Sequence, residues 1–120
     1  MPKDVTLIIF NPEDKARVAA RIFINELKKK GYVSKHAVSE FASNLGRGGA
    51  IWHNTKFQYS RKNFYAVVLK RLQRLHCITY ESDYYKGELA EGYWLDLGAF
   101  LKLLKRIGDR WKTEFPQPRM

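Results

Sequence analysis

The chain has 120 residues, 45% of them hydrophobic, enough for one core and about one domain. Lys and Arg number 22 against 12 Asp and Glu, and the formal charge of +10 attracts phosphate or acidic surfaces before any specific contact forms. A single cysteine, Cys77, excludes an internal disulfide and a thiolate zinc cage, and no apolar run approaches the length of a membrane span.

The start M-P-K-D lacks the basic-then-apolar layout of a signal peptide. The expectation is therefore a soluble cytoplasmic protein, nucleoid-associated if prokaryotic, with no membrane partner. The charge is unevenly placed. Residues 31–76 carry eight cations and one acid, whereas residues 77–97 carry one Lys and five acids.

Residues 5–10, V-T-L-I-I-F, form a short apolar run rich in β-branched side chains and closed by Asn11-Pro12, which predicts a mostly buried strand or a dimer contact. Asn11 is the expected N-cap of a long helix over 12–30, with Pro12 at its first position and Glu13 and Asp14 in its first turn. Ala16, Ala19, Ala20, Phe23 and Leu27 make its apolar stripe, and Ile22 and Ile24 widen it. Lys28, Lys29 and Lys30 end it before Gly31, as cations at a helix C-terminus ordinarily do. Ser34 caps a second helix to about Leu45, with Ala37, Val38, Phe41, Ala42 and Leu45 at helical spacing and Gly46 as its stop.

Regular patterning then lapses. Residues 46–59 hold three glycines, two cations and three aromatics. G-R-G-G matches no phosphate-binding loop and lies well upstream of the next helix, which argues against a nucleotide hydrolase. Arg47 and Lys56 beside Trp52, Phe57 and Tyr59 could form a stacking and charge surface for unpaired bases, or Ile51, Trp52 and Phe57 could anchor the segment to the core.

The stretch 60–75, S-R-K-N-F-Y-A-V-V-L-K-R-L-Q-R-L, reads as one amphipathic helix capped by Ser60. At 100° per residue Phe64, Val67, Val68, Leu72 and Leu75 share one face, and Lys62, Asn63, Ala66, Lys70, Gln73 and Arg74 share the other. Arg61, Tyr65 and Arg71 flank the polar face. Two alternating segments, 77–82 and 89–97, surround a turn at Lys86-Gly87 and make a hairpin. Gly98 interrupts, and a last helix over 99–112 carries Phe100, Leu103, Leu104, Ile107 and Trp111 on one side. Residues 115–120 read as a loose tail.

No constellation demands catalysis. His36, His53 and His76 are scattered and share no metal-ligand spacing with a Cys or carboxylate, so no metal and no cofactor is expected. Glu81, Asp83, Glu88, Glu91 and Asp96 could converge on Mg²⁺, but no nuclease motif accompanies them, and an acidic hairpin is more often a solvated or partner-facing surface.

The order helix, helix, basic helix, hairpin, helix resembles the winged helix-turn-helix DNA-binding domains over residues 12–111, most closely in F-Y-A-V-V-L-K-R-L-Q-R-L-H-C-I-T-Y from Phe64. The resemblance implies an α+β, mostly helical fold of about four helices with a β-hairpin and the short N-terminal strand. It also implies a non-enzymatic DNA-binding protein, a transcriptional regulator or a replication or chromatin accessory factor. By that likeness the helix from Ser60 enters the major groove, with Arg61, Lys62, Asn63 and Ala66 near bases. Lys56, Tyr65, Lys70, Arg71 and Arg74 hold phosphates, and Lys86 at the hairpin tip approaches the backbone.

Two features depart from that pattern. The connection into the basic helix is about fourteen residues where a helix-turn-helix has three or four, and the hairpin is acidic. Two other readings stand beside it: single-stranded DNA or RNA stacked on Trp52, Phe57, Tyr59 and Tyr65, and a protein-interaction subunit that docks through the hairpin. A homodimer is expected from the apolar surfaces of the first segment, the first long helix and the last helix.

Overall fold

The computed structural model describes residues 5–116. Its fold is α+β and mostly helical, with two small antiparallel hairpins inserted among the helices. The first element overturns an expectation. Val5–Ile9 is a short helix, α1, and not a strand. Its i, i+4 pair Thr6 and Phe10 is fully buried, and the Phe10 amide donates to the Thr6 carbonyl at 3.0 Å, so the apolar run packs as a helical face. Among the described residues no strand lies beside it to complete a sheet.

The Asn11–Pro12 peptide is cis, and α2 starts later than expected, at Asp14–Lys30, with Glu13 rather than Asn11 at the cap position. The predicted stripe holds: Ala16, Ala19, Ala20, Phe23 and Leu27 are all buried. Gly31, at φ +88°, ends the helix by donating its amide to the Leu27 carbonyl at 2.8 Å. In α3, Lys35–Gly46, the Ser34 hydroxyl accepts from the Ala37 amide at 3.1 Å, the expected cap.

The connection that follows is ordered. β1 (Ala50–Trp52) pairs with β2 (Thr55–Phe57), and His53 and Asn54 turn the chain at φ +50° and +62°. Gln58 Nε2 donates to the Gly46 carbonyl at 2.8 Å and the Tyr59 amide to the Leu45 carbonyl at 3.1 Å, closing the hairpin at its base. The next helix, α4, runs over residues 61–74, and the Ser60 hydroxyl caps it by accepting from the Asn63 amide at 3.0 Å. It is regular at Arg61–Asn63 and Lys70–Arg74 but takes the wider π geometry over Phe64–Leu69. The wider turn adds a residue to the helical register, so Phe64, Val68 and Leu69 are all buried where a plain wheel put Leu69 off the apolar face.

β3 (Ile78–Tyr85) and β4 (Glu88–Leu95) form the expected second hairpin, turning at Lys86 and Gly87 with φ +53° and +83°. Val33 adds an antiparallel bridge to Tyr93 and fastens this hairpin to the α2–α3 connection. Asp96 then caps α5, Leu97–Glu114, by accepting from the Ala99 amide at 2.9 Å. Gly98 therefore lies inside this helix rather than ahead of it. The tail expected to be loose lies outside the described residues from position 117 on.

Helices α2, α3 and α4 meet on three rings. Phe23, Phe41 and Phe64 have centroids 5.2–5.3 Å apart in tilted or edge-on arrangements, which aromatic quadrupoles favour. α4 is thereby seated by its apolar face, and its other face turns outward.

Candidate nucleic-acid interface

The outward face of α4 is built by the same periodicity that buries Phe64, Val68 and Leu72. Lys62, Asn63, Ala66, Lys70, Gln73 and Arg74 are all exposed. Among the described residues Lys62, Lys70 and Arg74 enter no ion pair or hydrogen bond, so their donors are available to a ligand. Between Glu40 and Glu81 the chain has no carboxylate at all, and seven cations lie in that interval. The acids that approach from α2 are already paired, Glu13 with Arg71 at 2.8 Å and Asp14 with Arg17 at 2.8 Å. The cationic field over α4 is thus little cancelled locally.

Two residues expected on nucleic acid are engaged at home. Arg61 Nη1 donates to the Ser39 carbonyl and the Ser43 hydroxyl, both at 2.8 Å, and Nη2 donates to the Ser39 hydroxyl at 3.1 Å. Its guanidinium lies 5.2 Å from the Tyr65 ring. The planar fork of Arg61 thus joins the start of α4 to α3, a geometry lysine does not reproduce. Arg71 pairs with Glu13, donates to the Ile9 carbonyl at 3.4 Å and covers the Phe10 ring at 5.0 Å, so it ties α4 to α1 and the start of α2.

The remaining candidates spread over three places. Arg47 is exposed at the end of α3, and Lys56 is exposed on β2 opposite Ile51. Lys86 is exposed at the second hairpin turn, 5.4 Å over the Tyr85 ring. The aromatic set divides. Phe57, Tyr59 and Tyr65 pack against the core, with Phe57 and Tyr59 stacked at 6.5 Å, while Trp52 is half-buried edge-on to His53 at 4.4 Å. Burial also pushes the Tyr59 phenol up from its ordinary pKa.

One contributor was missed from sequence. A cleft of about 350 Å³ at the start of α4 is lined by Lys15 of α2 with Gly46, Gln58, Tyr59, Ser60 and Asn63. Lys15 sits 45 residues before Ser60, and only the packing of α2 against α4 brings it there. The His53-Asn54 turn beside Lys56 had a readable signal: Asn54 tolerates positive φ, and short segments with β-prone residues, A-I-W and T-K-F, flank the pair.

The acidic hairpin uses part of its charge internally. Tyr80 donates to Glu91 Oε2 at 2.7 Å and Ser82 to Oε1 at 3.2 Å, which holds the Glu91 carboxyl below the ordinary carboxylate range. The same bond pushes the Tyr80 phenol up to about 12, so it remains a donor throughout the neutral range. A depressed carboxyl stabilises the fold above the ordinary carboxylate pKa and loses that contribution as pH falls through the depressed value. Glu91→Gln is therefore expected to flatten the acid-side loss of hairpin structure that sets in as pH falls below the ordinary carboxylate range. Tyr80 and Tyr93 side-chain NMR signals, followed against pH, report it. An unchanged acid transition would remove Glu91 as its source.

Glu81 and Asp83 remain exposed, as do Tyr84 and Leu89 near the tip. Burial raises the Cys77 thiol pKa, which disfavours the reactive thiolate. Among the described residues no three His, Cys, Asp or Glu side chains gather where they could hold a metal ion, and no helix is long and apolar enough to cross a membrane. Comparison of the chain with protein-family models, with curated proteins and with solved structures gives no match.

Proposed function

We propose that this chain binds duplex DNA through the exposed face of α4, as a non-enzymatic regulator or accessory factor of the winged-helix type. The observation that carries the reading is the set Lys62, Asn63, Ala66, Lys70 and Arg74, exposed together on a helix whose other face is locked into the core. Lysine and arginine neutralise phosphates, while Asn63 and the small Ala66 near the first turn suit contact with base edges. The order of elements supports it as well: two helices joined through the bridging Val33, a third basic helix, then a hairpin. The β1–β2 hairpin stands where a short turn joins the two helices in that family, and it carries the exposed Lys56.

Fluorescence anisotropy with labelled duplex DNA, single-stranded DNA and RNA at several salt concentrations tests the reading. Duplex is expected to bind best, with a log–log salt slope corresponding to roughly four or more phosphates. Lys70→Ala and Arg74→Ala are each expected to weaken all sequences alike and to reduce that slope by about 0.9. Lys62→Ala and Asn63→Ala are expected to erode discrimination between sequences instead. A preference for unpaired strands would move the site to Trp52. Absence of binding near physiological salt would turn attention to the exposed carboxylates and aromatics of the β3–β4 hairpin.

A further inference from the structure

Helix α5 leaves the body of the protein. From Leu104 to Glu114 every residue is exposed, on all sides of the helix. The molecule is correspondingly elongated, with a radius of gyration of 16.5 Å where a compact chain of this length has about 14 Å. Its surface is nonetheless sorted. Leu97, Leu101, Leu104, Ile107, Trp111 and Phe115 stand 70, 52, 45, 50, 63 and 58% exposed along one side, and Phe100 and Gly108 complete the stripe. An isolated helix of this length is marginal in water, and an amphipathic one is stabilised chiefly by packing its apolar face.

A second unfilled apolar feature lies at the base of the same helix. A groove of about 250 Å³ runs between α1 and the start of α5, walled by Val5, Ile9, Ile24, Leu95 and Phe100. Its lining is almost wholly apolar, and it adjoins the α5 stripe, since Leu97 and Phe100 belong to both.

We propose that the occupant of both surfaces is a second copy of this chain, its α5 lying antiparallel to the first about a two-fold axis near residues 105 and 106. That axis sets Leu104 against the second copy's Ile107 and Phe100 against its Trp111, and it carries each Phe115 to the mouth of the other copy's groove. The lengths agree. Phe100 and Trp111 are equidistant from the axis, about 8 Å along the helix in each direction. Burying the stripe removes roughly 600 Å² of side-chain area per copy, and the groove contacts bring this toward the 800 Å² per partner of a standard interface.

The helix dipoles select the direction, and Lys105, which the axis sets against the second copy's Arg106, already has its own counter-ion. Lys105 pairs with Asp109 at 3.0 Å and Arg110 with Glu114 at 3.2 Å within one helix, so two cationic helices meet with part of their charge cancelled. Parallel pairing would align the two macrodipoles and bring the two copies of Glu114 together, whereas antiparallel pairing opposes the dipoles and separates the acids. Closed two-fold symmetry also leaves no apolar stripe to propagate a filament. The dimer does not depend on the DNA-binding proposal; where that reading holds, it presents two copies of α4 to one duplex.

Sedimentation equilibrium of the full chain without nucleic acid is the test, and it is independent of whether DNA binds. The expected mass at tens of micromolar is twice 14.1 kDa. Leu104→Glu with Ile107→Glu is expected to raise the dissociation constant by a factor on the order of 100 or more, with the near-ultraviolet signal of the body retained. In a Cys77→Ser background, Phe100→Cys combined with Trp111→Cys is expected to give a covalent dimer on mild oxidation, and Trp111→Cys alone is not. A monomer at these concentrations, an assembly larger than two copies, or a dimer indifferent to the paired glutamates would overturn the proposal. Efficient cross-linking of Trp111→Cys alone would overturn the antiparallel arrangement.

Discussion

Replacing Phe64 by Ala is expected to cost about 3–5 kcal/mol of folding stability, the range for emptying a buried aromatic site. Phe64 is 0% exposed, and its ring lies 5.2 Å from Phe23 of α2 and 5.3 Å from Phe41 of α3, so one substitution withdraws the contact that joins three helices. Neither neighbour can readily close the gap. Both rings are fixed by their own helices, and a cavity the surroundings cannot collapse into is the costly kind. A domain of this size has about 5–15 kcal/mol in total, so the variant keeps a small margin or none. Urea unfolding measures the loss, and Phe64→Leu, which retains most of the volume, is expected to recover more than half of it. A loss below about 1 kcal/mol for the alanine variant would show that the three-ring contact is not what holds α4 in place. Where the DNA-binding proposal holds, affinity is expected to follow stability in these variants, because the cationic face exists only while the apolar face is seated.

That coupling explains which parts of the fold were legible from sequence. α2, α3, α4 and the β3–β4 hairpin follow from local periodicity and from Ser34 and Ser60 as caps, and the structure has them at nearly the expected bounds. The run 5–10 was not legible, because five apolar residues and a threonine satisfy a buried strand and one and a half turns of helix equally well. Its partner decided it: the surface of α2 accepts Thr6 and Phe10 as an i, i+4 pair. The β1–β2 hairpin was obscured by the glycines ahead of it, although His53 and Asn54 sit where a two-residue turn needs positive φ. The expectation for α5 was right in its amphipathicity, but a stripe does not say whether the surface covering it belongs to the same chain.

The candidate interface divides in the same way. Lys62, Asn63, Ala66, Lys70 and Arg74 were legible from the helical wheel, because exposure of a polar face follows from burial of the apolar one. The internal partners of Arg61 and Arg71 were not legible, because they lie far away in sequence. Ser39 and Ser43 lie 22 and 18 residues from Arg61, and Glu13 lies 58 from Arg71, beyond what any local pattern encodes. The same limit hid Lys15.

Gly92→Ala is expected to detach the β3–β4 hairpin from the body. A Cβ at residue 92 would stand 2.4 Å from the Val33 carbonyl oxygen and 2.8 Å from its carbon, and those are backbone atoms that cannot rotate aside. Relief requires moving the Val33 segment, which is held by two reciprocal hydrogen bonds: Val33 N to Tyr93 O at 3.0 Å and Tyr93 N to Val33 O at 2.8 Å. Losing both leaves buried donors and acceptors unpaired, because Val33 and Tyr93 are among the buried residues, and each such bond is worth about 1 kcal/mol before the desolvation penalty. The stack of Tyr32 on Trp94, at 5.1 Å, rests on the same attachment. The total expected is about 2–4 kcal/mol. Gly87 supplies the comparison, since it turns the hairpin tip at φ +83° with open space around its missing Cβ. Gly87→Ala is therefore expected to cost only about 1 kcal/mol, the conformational term alone. Amide exchange at Val33 and Tyr93 separates the two cases: Gly92→Ala should release both amides while those of β3 pairing with β4 stay protected, and Gly87→Ala should release neither. Slow exchange at both positions in Gly92→Ala would mean that the Val33 segment yields by a few tenths of an ångström, and that the hairpin is held to the body by its aromatic contacts instead.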